Sequence, residues 1–236
     1  TSLYASLKEI KSEDINITTV EDPVEYQLDG ISQVQVFEDI GLTFASSLRS
    51  ILRQDPDILL IGEIRDSETA DIAVKFSLTG HLVFSTVHAN DASSTITRLL
   101  DIGIPPFLVG SCVNLVMAQR LVRRLCKECC EEYEPSDQEL YVVGLDKKRL
   151  KGSKLTKPKG CRECRNTGYR GRTAIFEIIP MSREIRKLIF NNANEDEIRA
   201  KSLEQGMISL RESGLRKVLD RTTSVQEILR STVEDF

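Results

Sequence analysis

Asp57-Ile58-Leu59-Leu60-Ile61-Gly62-Glu63-Ile64-Arg65-Asp66 is a short apolar run closed by a glycine and a cluster of charges. A run with no polar alternation predicts a strand buried on both faces, as in parallel sheets covered by helices. The flanking sequence repeats the theme. Upstream, the β-branched run Ile15 to Val20 ends in Glu21-Asp22-Pro23-Val24-Glu25-Tyr26. Downstream, His81 to Val87 is a second buried-type run, ending in His88-Ala89-Asn90-Asp91. Helical stretches lie between them. Thr43 is placed to cap a helix reaching about Gln54, where Pro56 breaks it, and Ser67 to cap another through Leu78, stopped by Thr79-Gly80. Strand, polar tip and helix in alternation predict an α/β layered fold with a mainly parallel sheet. Ligands of such sheets collect outside the carboxyl ends of the strands. All three polar segments occupy ends of that kind, which points to one shared site.

Bulk properties narrow the class. The 236 residues are 40% hydrophobic and 29% charged, enough to build a core without disulfide staples and unlike a disordered or collagenous chain. A net charge of −4 argues against a nucleic-acid binder. The densest basic cluster, Arg120, Arg123, Arg124 and Lys127, reads as a solvated stretch. No apolar run reaches the roughly 18 residues of a membrane span. The opening Thr1-Ser2-Leu3-Tyr4, followed by the stripe Leu3, Leu7, Ile10, reads like the middle of a helix, so the chain is expected to be cut from something longer, with the cytoplasm as its compartment.

Elsewhere, Ile31 to Val36 alternates as a half-exposed strand, Ala92 to Leu100 is a helix, and Pro105-Pro106 opens another running to about Arg120. Periodicity is lost over 121–175. Helices are expected again at 182–191, 194–205, 208–220 and 224–232, with Ser182 as a start and Ser224 and Glu227 as a capping box. The resulting division is 1–120, 121–175 and 176–236.

Two C-x-x-C pairs, Cys126/Cys129 and Cys161/Cys164, lie in the middle segment. Each knuckle can bring two sulfurs onto one ion, and four sulfurs make a closed tetrahedral zinc site with no position open for catalysis. Four reduced thiols are the competing reading, and Cys130 is a register alternative to Cys129. Cys112, in an apolar stretch, reads as a small core residue.

Three longer motifs carry a resemblance. Ile17-Thr18-Thr19-Val20-Glu21-Asp22-Pro23-Val24-Glu25-Tyr26 resembles the aspartate box of the type II secretion and type IV pilus assembly ATPases. Leu48 to Asp57 running into Gly62-Glu63-Ile64-Arg65-Asp66 is similar to that family's atypical Walker B region, and Thr79 to Asn90 resembles its histidine box. The likeness covers nearly the whole chain, and the four cysteines fall where the assembly branch has them; retraction motors lack them. The resemblance implies a RecA-like P-loop NTPase core, incomplete at its N-terminus, with a zinc-binding insert and a C-terminal helical subdomain. It implies Glu25 as the group activating water, Glu63 as the Walker B glutamate acting with Mg2+ and ATP, and His88 near the terminal phosphate. Glu21 and Asp22 complete the aspartate box, Arg49 and Arg53 lie near the site or a subunit boundary, and His81 is the second histidine of its box.

Strand alternation puts positions seven apart on opposite faces, so His81 and His88 do not share one task and His81 reads as structural. Arg49 and Arg53, four apart, share a helix face that is otherwise a solvated one. The implied protein is a homo-hexameric motor, peripheral at the inner membrane, working with a membrane platform protein and other secretion or pilus components. A zinc-stabilised interaction module and a nucleic-acid-translocating ATPase are the competing functions. The resemblance also places the loop G-x-x-x-x-G-K-[ST] immediately before Thr1. Its lysine, its hydroxyl and its backbone cradle for phosphates are absent from the 236 residues. The chain purified by itself is therefore expected to show no significant ATP turnover, measured as phosphate release; turnover like that of a protein carrying the loop would defeat this expectation.

Overall fold

The computed structural model describes residues 2–150, 152 and 154–232. Thr1 of the expected opening helix, and residues 233–236 of the expected C-terminal segment, lie outside the described residues. In chain order the elements are α1 (Ser2–Ile10), β1 (Ile17–Glu21), β2 (Ser32–Gln35), α2 (Phe44–Ile51), β3 (Ile58–Ile61), α3 (Ser67–Leu78), β4 (Leu82–Ser85), α4 (Ala92–Asp101), α5 (Pro106–Cys112), β5 (Leu115–Leu125), β6 (Glu131–Tyr133), α6 (Asp137–Val143), α7 (Lys147–Leu150), β7 (Leu155–Lys157), β8 (Tyr169–Pro180), α8 (Arg183–Phe190), α9 (Glu195–Glu204), α10 (Leu210–Leu219) and α11 (Val225–Ser231). They form two compact units that interleave in sequence. The first comprises residues up to Asn114 with Pro180–Lys201, the second Leu115–Ile179 with residues from Ser202 on.

The first unit is built on a parallel sheet of order β2-β1-β3-β4. Both inner strands are buried along their whole length, as the apolar run of β3 requires. β4 ends the sheet and is half exposed, not buried as its apolar composition suggests, because one flank has no neighbouring strand. Under β1 and β3, the apolar side chains Leu7, Ile17, Leu28, Ile58 and Leu60 form a core with Tyr4. Helix starts follow local polar chemistry. Thr43 and Ser46 make a reciprocal capping box on α2. α3 spans the predicted Ser67–Leu78, but Asp66 is its cap, accepting the Thr69 N–H at 2.8 Å. Ser67 is its first helical residue.

α5 and α8 approach closely at Gly110. A Cβ there would lie 2.5 Å from the Phe190 ring, so glycine is what permits the contact. The Arg186 guanidinium then donates to the Gly110 carbonyl and, at 3.0 Å, to that of Met181.

The second unit holds the largest departure from expectation. The helix opened by Pro106 ends at Cys112, and Leu115–Leu125 is strand β5, paired with β8. Its Leu, Met, Ala, Gln and Arg are good helix formers, but Val116 and Val122 turn inward while Leu115, Met117 and Leu121 turn outward. Pairing with β8 overrides the intrinsic preference. Val122 and Ile175 from these strands pack with Leu210, Leu215, Val218, Val225 and Ile228 of α10 and α11.

Ser224 caps α11 as expected, accepting the Glu227 N–H at 3.2 Å. The capping box is not completed, because the Glu227 carboxylate is taken elsewhere. It is fully buried and accepts the Arg123 N–H at 3.0 Å, the Arg123 guanidinium at 2.9 and 2.6 Å, and the Arg230 guanidinium at 3.0 and 2.7 Å. Burial disfavours its charge, but the Arg230 and Arg123 hydrogen bonds outweigh burial and hold it down at about 2.

Because this carboxyl is depressed below the ordinary carboxylate range, its contribution is complete above about pH 4.5 and is lost as pH falls toward 2. Arg123→Met removes the two guanidinium hydrogen bonds to the buried carboxylate but leaves both from Arg230, so it should lower unfolding free energy at pH 7 by about 2 kcal/mol. The difference from wild type should shrink between pH 4.5 and 3, as the wild type loses the same contribution. Urea unfolding at both ends of that range measures it.

Candidate functional site

The parallel sheet brings the tips of β1, β3 and β4 side by side at its carboxyl edge. The ladder continues past the strands: Gly62 N–H donates to the Val20 carbonyl at 2.7 Å, Ile64 N–H to the Thr86 carbonyl at 2.9 Å, and the Thr86 hydroxyl to the Gly62 carbonyl at 2.7 Å. These bonds lock the three polar segments together.

At the β1 tip, Glu21 points inward and is 5% exposed. Its carboxylate accepts the Tyr4 hydroxyl, the Thr19 hydroxyl at 2.5 Å and Gln33 Nε2 at 3.2 Å. Such a carboxylate is committed to holding structure. Asp22 and Glu25, by contrast, are exposed, in a turn that follows a cis Asp22-Pro23 peptide bond. The turn is pinned from behind: Glu25 N–H donates to the Tyr4 oxygen at 3.3 Å, Val24 N–H to Gln35 Oε1 at 3.4 Å, and Leu28 N–H to Gln33 Oε1 at 2.7 Å. Tyr26 stands edge-on to Tyr4, with ring centroids 4.7 Å apart. Burial and the hydrogen bond to Glu21 push the Tyr4 phenol up to about 12, so it keeps its proton through the neutral range.

At the β3 tip, the Glu63 side chain is 12% exposed, and one oxygen meets His88 Nε2 at 3.1 Å. The other oxygen pairs with the Arg65 guanidinium. Hydrogen bonding and charge attraction from Glu63 raise the Arg65 pKa, with Asp22 and Glu38 adding to the field. His88, from the β4 tip, leaves most of its ring in solvent. Asp91 fixes the end of that segment by capping α4 through Ser94 N–H at 2.7 Å and pairing with Arg199 at 2.9 Å. This edge therefore presents two exposed carboxylates (Asp22 and Glu25), one covered carboxylate with a histidine on it (Glu63–His88), and a cation (Arg65).

Other expected site residues lie elsewhere. His81 precedes β4 at the opposite, amino edge of the sheet. It stacks on Phe76 at 4.2 Å, with Nδ1 against the Thr79 hydroxyl at 2.9 Å and the Phe76 carbonyl at 3.2 Å. At about 3.3 Å per residue, roughly 20 Å of extended chain separates it from His88. Arg49, in α2, pairs with Glu68 on the surface. Arg53 is exposed in the turn after α2 ends at Ile51, so the helix-face argument joining the two arginines does not hold. Sequence reasoning missed Tyr4, Gln33 and Arg65. The aromatic residue at helical spacing from Leu7, and the glutamine alternating in β2, were the available signals.

The cysteines form a second, separate centre in the second unit. Sγ of Cys126, Cys129, Cys161 and Cys164 lie within 4.8 Å of one another, with Cys126–Cys161 at 3.9 Å and Cys129–Cys164 and Cys161–Cys164 at 3.8 Å. A tetrahedron of sulfurs about 2.3 Å from a zinc ion has edges of about 3.8 Å. Cys164 Sγ accepts N–H bonds from Cys161 at 3.1 Å and Gly168 at 3.2 Å. Burial opposes ionisation of this thiol, but those donors and the neighbouring thiols bring it down to about 6. Burial pushes Cys129 up to about 12. Cys130 is not part of the cluster, and Cys112 is half-buried in α5, its thiol 3.9 Å from the Val74 carbonyl. Among the described residues no other such group of ligands occurs, and no helix is long and apolar enough to cross a membrane.

The family described as "Type II/IV secretion system protein" matches residues 1–230. The chain is 48% identical over its whole length to the type IV pilus assembly ATPase PilB of Myxococcus xanthus and 49% identical to the type II secretion system protein E of Pseudomonas aeruginosa. It spans 42% and 46% of those proteins, less than half of each. Among solved structures, that of the pilus retraction motor PilT with bound ADP superposes with a TM-score of 0.68 at 24% identity, over 99% of this chain and 57% of that one. The ATPase DotB of Legionella pneumophila gives 0.65 at 22% identity, over 96% and 55%. The fold is thus that of RecA-like P-loop ATPases with a C-terminal helical subdomain, and the chain belongs to the type II secretion and type IV pilus ATPase family.

Proposed function

We propose that this chain carries the hydrolytic edge of an ATP-driven motor that powers pilus assembly or type II protein secretion from the cytoplasmic face of the inner membrane. The observation that carries it is the His88–Glu63 pair, 3.1 Å apart, beside the acidic turn at the carboxyl edge of the parallel sheet. The names of the relatives support the same activity.

Glu25 is the exposed carboxylate of the turn and takes the proton from the attacking water. Glu63, aimed by His88 and Arg65, would hold the magnesium ion that accompanies ATP, directly or through water. Magnesium would supply neutralisation of charge on the phosphates during transfer. His88 contributes through its free nitrogen. When the ring is protonated both nitrogens donate, one to Glu63 and the other toward the terminal phosphate. Glu21 orients the turn, and Asp22 and Arg65 set its field. Arg49 and Arg53 are surface cations available to a neighbouring subunit in a homo-hexamer. His81 supports the amino edge of the sheet and has no part in nucleotide binding.

The four cysteines hold a structural zinc ion. The sulfur spacing and the N–H donors on Cys164 suit a closed site of four thiolates. The same module favours assembly or secretion over retraction, with a membrane platform protein as the partner that receives the work.

Two measurements test these assignments. In the full-length protein, Glu25→Gln and Glu63→Gln should each lower ATP turnover by about a hundredfold or more, while His81→Asn leaves it near wild type; if neither glutamate matters, the site is misassigned. Elemental analysis of the purified chain should find about one zinc per chain, and chelation should destabilise the second unit, read as a lowered Tm. Metal-free protein with unchanged stability would leave four plain thiols.

A further inference from the structure

We propose that Tyr4 is a positioning residue for Glu25, tying helix α1 to the acidic turn through one hydroxyl group. This rests on the assignment of Glu25 as the water-activating group. A tyrosine hydroxyl offers one donor and two acceptor positions. At Tyr4 all three are used: the proton goes to Glu21, and the oxygen accepts Glu25 N–H and Gln33 Nε2, each at 3.3 Å. Nothing is left over for substrate, so Tyr4 acts only through its neighbours.

Those neighbours all hold the same turn. Gln33 Nε2 also donates to Glu21 at 3.2 Å and to the Tyr26 carbonyl at 3.3 Å, while its Oε1 accepts Leu28 N–H at 2.7 Å. The backbone of the turn from Glu21 to Leu28 is therefore fastened at residues 25, 26 and 28 to buried Tyr4 and half-buried Gln33. Tyr4 is 4% exposed and packed edge-on against Tyr26, so its oxygen has a fixed location. The Glu25 side chain is exposed and its N–H rests on that oxygen. The backbone under the carboxylate is then placed by α1, and a displacement of α1 along its axis carries the turn with it.

Tyr4→Phe keeps the ring and removes only the hydroxyl. In the full-length protein it should lower kcat by about tenfold or more, because small misplacement of a reacting group is expensive. KM for ATP should stay close to wild type, a split that loss of packing alone would not give, while Tm falls modestly because buried Glu21 loses a donor. Added to Glu25→Gln, it should cause no further fall in kcat, since the group it positions is already gone. Unchanged kcat, or an equal fold-loss in the Glu25→Gln background, overturns the inference while the function assignment stands. Full turnover in Glu25→Gln alone overturns both. If Tyr4→Phe does not fold, Gln33→Met removes the amide that shares the Tyr4 oxygen and fastens residues 26 and 28, and should reduce kcat by about tenfold, since several hydrogen bonds are lost together; no reduction overturns the inference equally.

Discussion

Everything at the carboxyl edge depends on how tightly β1 and β3 are laced together beyond their last regular residues. The Gly62 N–H bond to Val20 extends their pairing into the polar tips. A Cβ at Gly62 would sit 3.3 Å from both the Val20 oxygen and Glu21 Cα, tighter than side chains ordinarily pack. Glycine here lets one acidic tip lie directly against another. The bonds through Ile64 and Thr86 repeat the lacing on the other side of β3. The three glutamates at this edge each have a different environment. Glu21 is buried among neutral donors, Glu63 is covered by a guanidinium and an imidazole, and Glu25 is left in solvent. Three similar side chains thereby become suited to three tasks.

The two centres of the molecule obey different rules. The sheet edge gathers residues from distant elements, and its geometry follows from strand order. The cysteine cluster is local: each knuckle is a tight turn, and β6 and β7 pair antiparallel between the two pairs of sulfurs. The connection between the knuckles can therefore be long without loosening the cluster, because the pairing draws its two ends together.

Much of the fold was legible because several segments each allow one arrangement. An unbroken apolar run such as Ile58–Ile61 has few homes other than an inner parallel strand, and α3 is bounded by strong cap and stop signals. Legibility failed where a distant partner decides. Leu115–Leu125 contains good helix formers, and only the presence of β8 makes it a strand. Glu227 has the spacing of a capping box, but Arg123, far away in sequence, claims its carboxylate. The placing of the acidic turn, Glu63 and His88 at one sheet edge could be read from their motifs. Tyr4 and Gln33 offered only their spacing on regular elements, which marks a packed face but not what a hydroxyl or an amide there holds.

The interleaving of the two units constrains how the chain can be dissected. A truncation ending at Asn114 would look like a tidy excision of the sheet, yet it would discard α8, and with it the Phe190 ring seated on Gly110 and the guanidinium that binds the Gly110 carbonyl. The boundary at residues 201 and 202 falls inside α9 itself, where a cut would sever a continuous helix. The molecule is braided, and a sheet fragment that keeps its native packing would need the segment 180–201 spliced back or supplied as a separate peptide.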